Sequence, residues 1–180
     1  TSADDIALGE AHGPGGVYRL ACTEAGLLLS ELPTAGRTEA AFRDRVEELR
    51  MQPSFAPATR PASDQLALYK AWIAAWSSDT AWELFWRAPP LDLRGTLFRR
   101  CVWATLCSVP PGEVVTYGEL ARRSGSPRSA RAVGTAMHFN PAPLFVPCHR
   151  VVASNGIGGF GNVGLGLKRA LLAIEGLREL

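Results

Sequence analysis

Long apolar runs are missing from this 180-residue sequence. None approaches the roughly 18 to 20 residues that a membrane-spanning helix needs, and the N-terminus has no signal-peptide pattern. An intracellular protein, cytoplasmic or nuclear, with no membrane partner is expected. Cysteine is sparse. Cys22, Cys101, Cys107 and Cys148 form no C-x-x-C pair and lack the dense spacing of a small secreted domain, so reduced thiols are expected. Histidine is scarcer still: His12, His138 and His149 do not fall into ligand spacing with the cysteines, which speaks against zinc.

What remains is ordinary globular composition, 47% hydrophobic and 20% charged, in a chain long enough to bury a core without disulfides or metal. The net charge of +2 conceals an asymmetry. Residues 1–90 hold 8 basic and 12 acidic side chains, whereas residues 91–180 hold 11 and 5. A basic half beside an acidic half is compatible with a polyanionic partner, and equally with a solvated basic face.

Residues 1–16 are polar, Gly-rich and aperiodic, and read as a loose segment. Two apolar runs flank Thr23-Glu24-Ala25-Gly26, a hairpin signal. Helical spacing over 38–51 follows a capping Thr38, and a second helix starts near Ser63-Asp64 with Leu66, Tyr69, Trp72, Ile73 and Trp76 on one face. That aromatic stripe reads as a helix packed on a small sheet. Residues 86–95 look like a linker and coincide with the change of charge sign, so the expected domains are 1–89 and 90–180.

The second half opens with a helix over about 96–108, stopped by Pro110, Pro111 and Gly112. Two short helices, YGELARRS and RSARAVGTAMH, then flank Ser124-Gly125-Ser126-Pro127. Helix, Gly-containing turn and small-residue helix form a helix-turn-helix pattern, with Arg122, Arg123, Arg128 and Arg131 around the turn. Asn140-Pro141 precedes LFVPCHRVV, an apolar strand-like run interrupted by Pro147, Cys148, His149 and Arg150. A Gly-rich tract and a closing helix complete the chain.

A thiol becomes a strong nucleophile as thiolate, which requires a nearby base or positive charge. Adjacent strand residues point to opposite faces, so His149 can serve Cys148 only if the chain leaves strand geometry there. Pro147 favours such a departure. From these residues alone, a packed cysteine beside a structural histidine is the favoured reading.

VPCHRVV resembles the active-site motif of the O6-alkylguanine-DNA alkyltransferases, the methylated-DNA–protein-cysteine methyltransferases. GEVVTYGELA, ARAVGTAM, Asn140-Pro141 and LLAIEG occur in that family's order and spacing. The resemblance is continuous from about Pro90 to Gly176 and thinner before. It implies an α+β protein: a small N-terminal α/β domain of sheet and helices, then a mostly helical domain containing the helix-turn-helix. It also implies irreversible, stoichiometric transfer of alkyl groups from O6-alkylguanine, and from O4-alkylthymine, to Cys148 after the nucleotide is flipped out of duplex DNA.

Under that resemblance His149 takes the thiol proton through a water and Glu175 orients the imidazole. Asn140 is a hinge residue, and Tyr117 assists nucleotide rotation and protonates guanine N3. Arg131 enters the base stack. Ser129, Ala130 and Gly134 are small enough for a helix in the minor groove. The carbonyls of Cys148 and Val151 and an amide near Asn162 contact the base. No cofactor or metal is implied, and a monomer is expected. Phe160, Gly161 and Asn162 depart from the family's usual Tyr, Ser or small polar residues, and Arg99 stands where glutamine is common. A binding module without transfer would lack the acceptor cysteine, and a Cys-His hydrolase would leave Arg131 and Tyr117 unexplained. No metal-binding or second DNA-binding segment is present, so fusion to a methylation-sensing regulator is not expected.

Overall fold

The computed structural model describes residues 5–33, 35–76, 89–161 and 163–178. They fall into two compact units, Thr1–Gly95 and Thr96–Leu180.

The first unit contains a three-stranded antiparallel sheet in the order β1 (Ala7–Gly13), β2 (Gly16–Thr23), β3 (Gly26–Glu31). Residues 7–13 were expected to be loose; instead they pair with β2 from Ala7↔Cys22 to Gly13↔Gly16. Glycine misled here, because its role is close approach rather than disorder. A Cβ on Gly13 would stand 2.5 Å from the Ile73 methyl of helix α2 (Ala62–Ala75). The predicted hairpin at residues 23–26 joins β2 to β3.

Helix α1 (Glu39–Arg50) begins at Thr38, whose hydroxyl accepts from the Ala41 amide at 3.2 Å. Its buried Phe42, Val46 and Leu49 pack with Ala21, Leu28 and Leu29 of the sheet. Helix α2 buries Gln65, Tyr69 and Ile73, the i, i+4, i+8 face of an amphipathic helix.

The domain boundary lies further along than expected, at Gly95/Thr96. Residues 86–88 of the expected linker lie outside the described residues, but 90–94 are built into the first unit. Leu91 bridges Leu27, and the Asp92 amide donates to the Leu27 carbonyl at 2.9 Å. Asp92 is fully buried and accepts from Thr23, Ser54 and Arg94 at 2.8, 2.6 and 2.7 Å. Arg94 also donates to the carbonyls of Arg50 and Gln52, satisfying groups that the end of α1 leaves open. Composition marked this stretch as a linker; a buried ion pair makes it a fastening.

The second unit is helical: α3 (Leu97–Cys107), α4 (Tyr117–Arg123), α5 (Ala130–His138) and α6 (Leu165–Ile174). Thr96 caps α3 and Thr116 caps α4. Trp103 is buried on α3 and its indole N–H donates to the Ala136 carbonyl of α5 at 2.9 Å. Two short strands, β4 (Val115–Thr116) and β5 (Val151–Val152), pair in parallel. Most of the strand-like run before Cys148 is instead a turn, closed by Val146 N–H to the Ala142 carbonyl at 2.8 Å. Among the described residues, no helix is long and apolar enough to cross a membrane.

Candidate active site

Cys148, His149 and Arg150 form a single 3-10 turn between Pro147 and β5. Side chains in such a turn are about 120° apart rather than on opposite faces. Cys148 is therefore left half-buried while His149 is fully buried. The predicted break from strand geometry is this turn, which the Cys148 amide enters by donating to Val146 O at 2.7 Å.

Buried charge surrounds it. His149 Nε2 lies 2.8 Å from Glu175 Oε1, and both side chains are almost wholly shielded from solvent. Arg150 Nη2 donates to the same Oε1 at 2.8 Å, its Nε donates to Oε2 at 3.0 Å, and its Nη1 donates to Val109 O at 2.6 Å. Burial alone would raise the Glu175 carboxyl, but the hydrogen bond and charge of His149, with those of Arg150, outweigh it and hold the group at about 2. Burial lowers His149 despite the opposing pull of Glu175, so the imidazole is neutral at pH 7. Against an ionised carboxylate, Nε2 carries the proton, which makes Nδ1 the basic ring nitrogen.

Glu175 sits where helix α6 ends, a position at which the helix dipole disfavours a carboxylate. Its two cationic or N–H-bearing partners offset that. Gly176, at φ 90°, supplies the left-handed residue that closes α6, with Gly176 N donating to Ala173 O and Leu177 N to Leu172 O. The cap fixes the carboxylate's height relative to the turn.

Asn140 ties the turn ahead of Cys148. Its amide donates to Val146 O at 2.9 Å, and its Oδ1 accepts from Ala142 N at 3.0 Å. Between them Leu144 is buried at φ 83°, a left-handed conformation that costs a leucine about 1–3 kcal/mol and persists only where its surroundings enforce it. Burial pushes the Cys148 thiol up, opposed by a hydrogen bond from Asn140 and by the charge of Lys168. At neutral pH the group is a thiol, and its proton must be taken before the sulfur attacks.

The β4–β5 pairing, Val115↔Val151 and Thr116↔Val152, carries Tyr117 to the neighbourhood of the 3-10 turn. Tyr117 opens α4; burial raises its phenol and Cys148 adds to the effect, so it stays protonated. Gly134 of α5 faces the Tyr117 ring, where a Cβ would make ordinary contact at 4.0 Å. Arg131 stands exposed in the first turn of α5, with Ser129 and Ala130 half-buried ahead of it. Among the described residues, the hydrogen bonds and charges that act on Cys148 come from Asn140, Lys168, its own backbone and that of His149, and not from these three. Asn162 lies outside the described residues.

Sequence reasoning passed over Lys168. Its Nζ is buried and donates to the carbonyls of Val151, Ile157 and Gly159 at 2.6, 2.7 and 3.0 Å, fastening the Gly-rich tract to α6. Burial lowers this ammonium to about 8. Val151 O, expected to meet a base, thus already accepts one hydrogen bond. The signal was present: Lys168, Leu171, Leu172 and Glu175 share the i, i+3, i+4, i+7 stripe that α6 buries. Replacing Lys168 with methionine should leave three carbonyls short of a donor and cost about 1–3 kcal/mol. Amide exchange across 151–159 should accelerate; unchanged protection there would show that the fastening is dispensable. Arg99, unexplained by sequence, lies 3.9 Å above the Phe139 ring beside Asn140, a cation–π contact between α3 and the end of α5.

Residues 97–177 match the family model described as "6-O-methylguanine DNA methyltransferase, DNA binding domain". A curated relative from Mycobacterium bovis, a methylated-DNA–protein-cysteine methyltransferase, is 50% identical over 86 residues, 47% of this chain and 52% of its own length. The chain thus spans about half the length of the curated relatives it matches. Among solved structures, the Mycobacterium tuberculosis O6-methylguanine methyltransferase is 30% identical with a TM-score of 0.68, over 98% of this chain and 96% of that one. The structure of the same organism's protein in complex with DNA is 33% identical with a TM-score of 0.64, over 94% and 92%.

Proposed function

Because the chain belongs to the O6-methylguanine-DNA methyltransferase family, we propose that it repairs alkylated DNA by moving the alkyl group from guanine O6 to its own Cys148. The observation that carries the reading is a half-buried thiol one residue from a neutral imidazole held by a buried, ionised carboxylate. That is the nucleophile, base and orienter arrangement of covalent transfer.

In the proposed reaction His149 Nδ1 accepts the Cys148 proton through a water, and Glu175 stabilises the imidazolium that forms. The sulfur attacks the alkyl carbon, so that an S–C bond forms as the C–O6 bond breaks. The released electron pair enters the guanine ring, and Tyr117 delivers a proton to N3, making the departing base neutral. Its raised phenol suits a donor that keeps its proton until charge develops on the base. Asn140 positions the sulfur through the 140–146 turn. The carbonyls of Cys148 and Val151, with an amide near Asn162, would hold the base. O4-alkylthymine would enter by the same route.

The base must leave the duplex first, at a cost of a few kcal/mol that is smaller for a badly paired lesion. Arg131, exposed at the start of α5, would take its place in the stack. Ser129, Ala130 and Gly134 leave α5 slim enough for the minor groove. Helices α4 and α5 would then act as a helix-turn-helix read through backbone and shape, with the protein bound as a monomer.

Among the described residues no group near Cys148 offers a way to release a thioether, so each chain should act once. Incubation with excess duplex carrying O6-methylguanine should plateau at one methyl per protein. Continued turnover would contradict stoichiometric transfer, and binding with no transfer would leave only a lesion-binding role.

A further inference from the structure

The turn between α4 and α5 carries more cationic side chains than base capture uses. Arg122 and Arg123 end α4, and Arg128 and Arg131 stand on the far side of residues 124–127. Hydrogen bonds from Gly125 N to Arg122 O, Ser126 N to Ala121 O and Ser129 N to Ser126 O fix the turn between them. All four arginines are exposed. Among the described residues Arg128 and Arg131 have no ion-pair partner, whereas Arg122 and Arg123 both pair with Glu119.

That shared carboxylate is informative. Arg123 Nε donates to Glu119 Oε1 at 2.8 Å, and Arg122 Nη2 donates to Oε2. One carboxylate is thus held between two guanidiniums, one on each oxygen, a donor arrangement that can also receive a phosphate. The two arginine side chains are 66% and 45% exposed, so water competes for these bonds and an incoming anion can exchange with them at little cost. Glu119 also has a local task. Its amide donates to Thr116 Oγ1 at 3.1 Å, which places it at the fourth position of a Thr-x-x-Glu helix start. That task needs neither arginine.

We propose that Arg122 and Arg123 form a second site for a backbone phosphate of duplex DNA, beside Arg128 and Arg131, and that Glu119 is a tethered competitor which the phosphate displaces. The inference rests on the DNA-binding reading above and adds to it a built-in weakening of attachment to undamaged DNA. With Glu119 present, the triad contributes a net single positive charge to the interface. Without it, both arginines count in full.

The test is a fluorescence-anisotropy titration of a labelled, undamaged duplex against the whole chain between 50 and 200 mM salt. Each lost phosphate contact lowers the slope of log K against log salt by about 0.9. The double variant Arg122→Ala/Arg123→Ala should therefore lose about 0.9 from that slope, so the parent protein's advantage shrinks by a factor of about 3.5 across the range. Glu119→Gln should move the other way, binding more tightly at 50 mM and steepening the slope by about 0.9. Glutamine suits the same helix-start position, so α4 is preserved and the opposite sign cannot come from unfolding. If Glu119→Gln binds no more tightly and the double variant keeps the parental slope, the arginines serve only Glu119 and the inference is overturned. If the parent itself shows no salt-dependent binding, the DNA-binding reading fails with it, a visibly different result.

Discussion

Cys148→Ala is expected to reduce alkyl transfer to background while leaving the affinity for methylated duplex within about twofold of the parent. Binding should survive because the substitution removes one sulfur from a half-buried position and leaves the turn intact. Asn140 still joins Val146 O and Ala142 N, and Lys168 still holds Val151 O. Trimming a partly buried side chain by one heavy atom costs about 1 kcal/mol, too little to unfold the unit. Chemistry should vanish because no other thiol can substitute. Cys22 is buried in the first unit, burial lifts Cys107 to about 11, and among the described residues the His–Glu pair belongs to His149, not to the exposed Cys101 on α3. Cys148→Ser sharpens the point. A hydroxyl preserves size and hydrogen bonding, yet a neutral imidazole cannot make it a comparable nucleophile at pH 7. Both variants should be measured by duplex binding and by transfer of labelled methyl. Transfer persisting in either would remove Cys148 from the centre of the chemistry.

Glu175→Ala carries the second large effect, this time on stability. The carboxylate is the common partner of His149 and Arg150, all three buried. Removing one partner from a buried charge network leaves the others uncompensated, and the cost is about 3–5 kcal/mol. That is a large part of the stability of a domain this size. Acid should act by the same route. The folded Glu175 carboxyl lies at about 2 against an ordinary value of 4.5, so its stabilisation is complete above about pH 4.5 and is lost as pH falls toward 2. The sign follows because the unfolded chain takes up the proton first. A shift of that size corresponds to about 3 kcal/mol, undiminished by solvent because the side chain is 1% exposed. Denaturant melts at pH 7 and an acid titration followed by circular dichroism should show a destabilised variant with a flatter acid limb. A variant that melts like the parent would mean Arg150 and His149 find other partners.

How far the sequence carried this picture depended on what kind of signal each element sends. Helices α1 and α3 were legible because Thr38 and Thr96 cap apolar 3.6-residue patterns. The 2-residue strand β5 was not, because five residues of LFVPCHRVV look like strand and only Val151 and Val152 are. Residues 7–13 hid as a strand because Gly9 and Gly13, placed there to admit α2, resemble a disordered tail. Cys148, His149, Glu175 and Asn140 came from motif likeness rather than periodicity, and their geometry is coherent. Arg150, noted only as part of the interruption, and Lys168 were given no role, because a sequence does not show the carbonyl and carboxylate partners of a buried charge. Those partners are non-local, and only the fold supplies them.

The most direct measurement is the mass of the peptide bearing Cys148 after incubation with duplex DNA containing O6-methylguanine. The predicted result is one methyl in place of one proton on Cys148, in proportion to the lesions repaired, with none on Cys22, Cys101 or Cys107. A methyl found on another residue, or an unmodified Cys148 peptide while the lesion disappears from the DNA, would contradict transfer to this thiol.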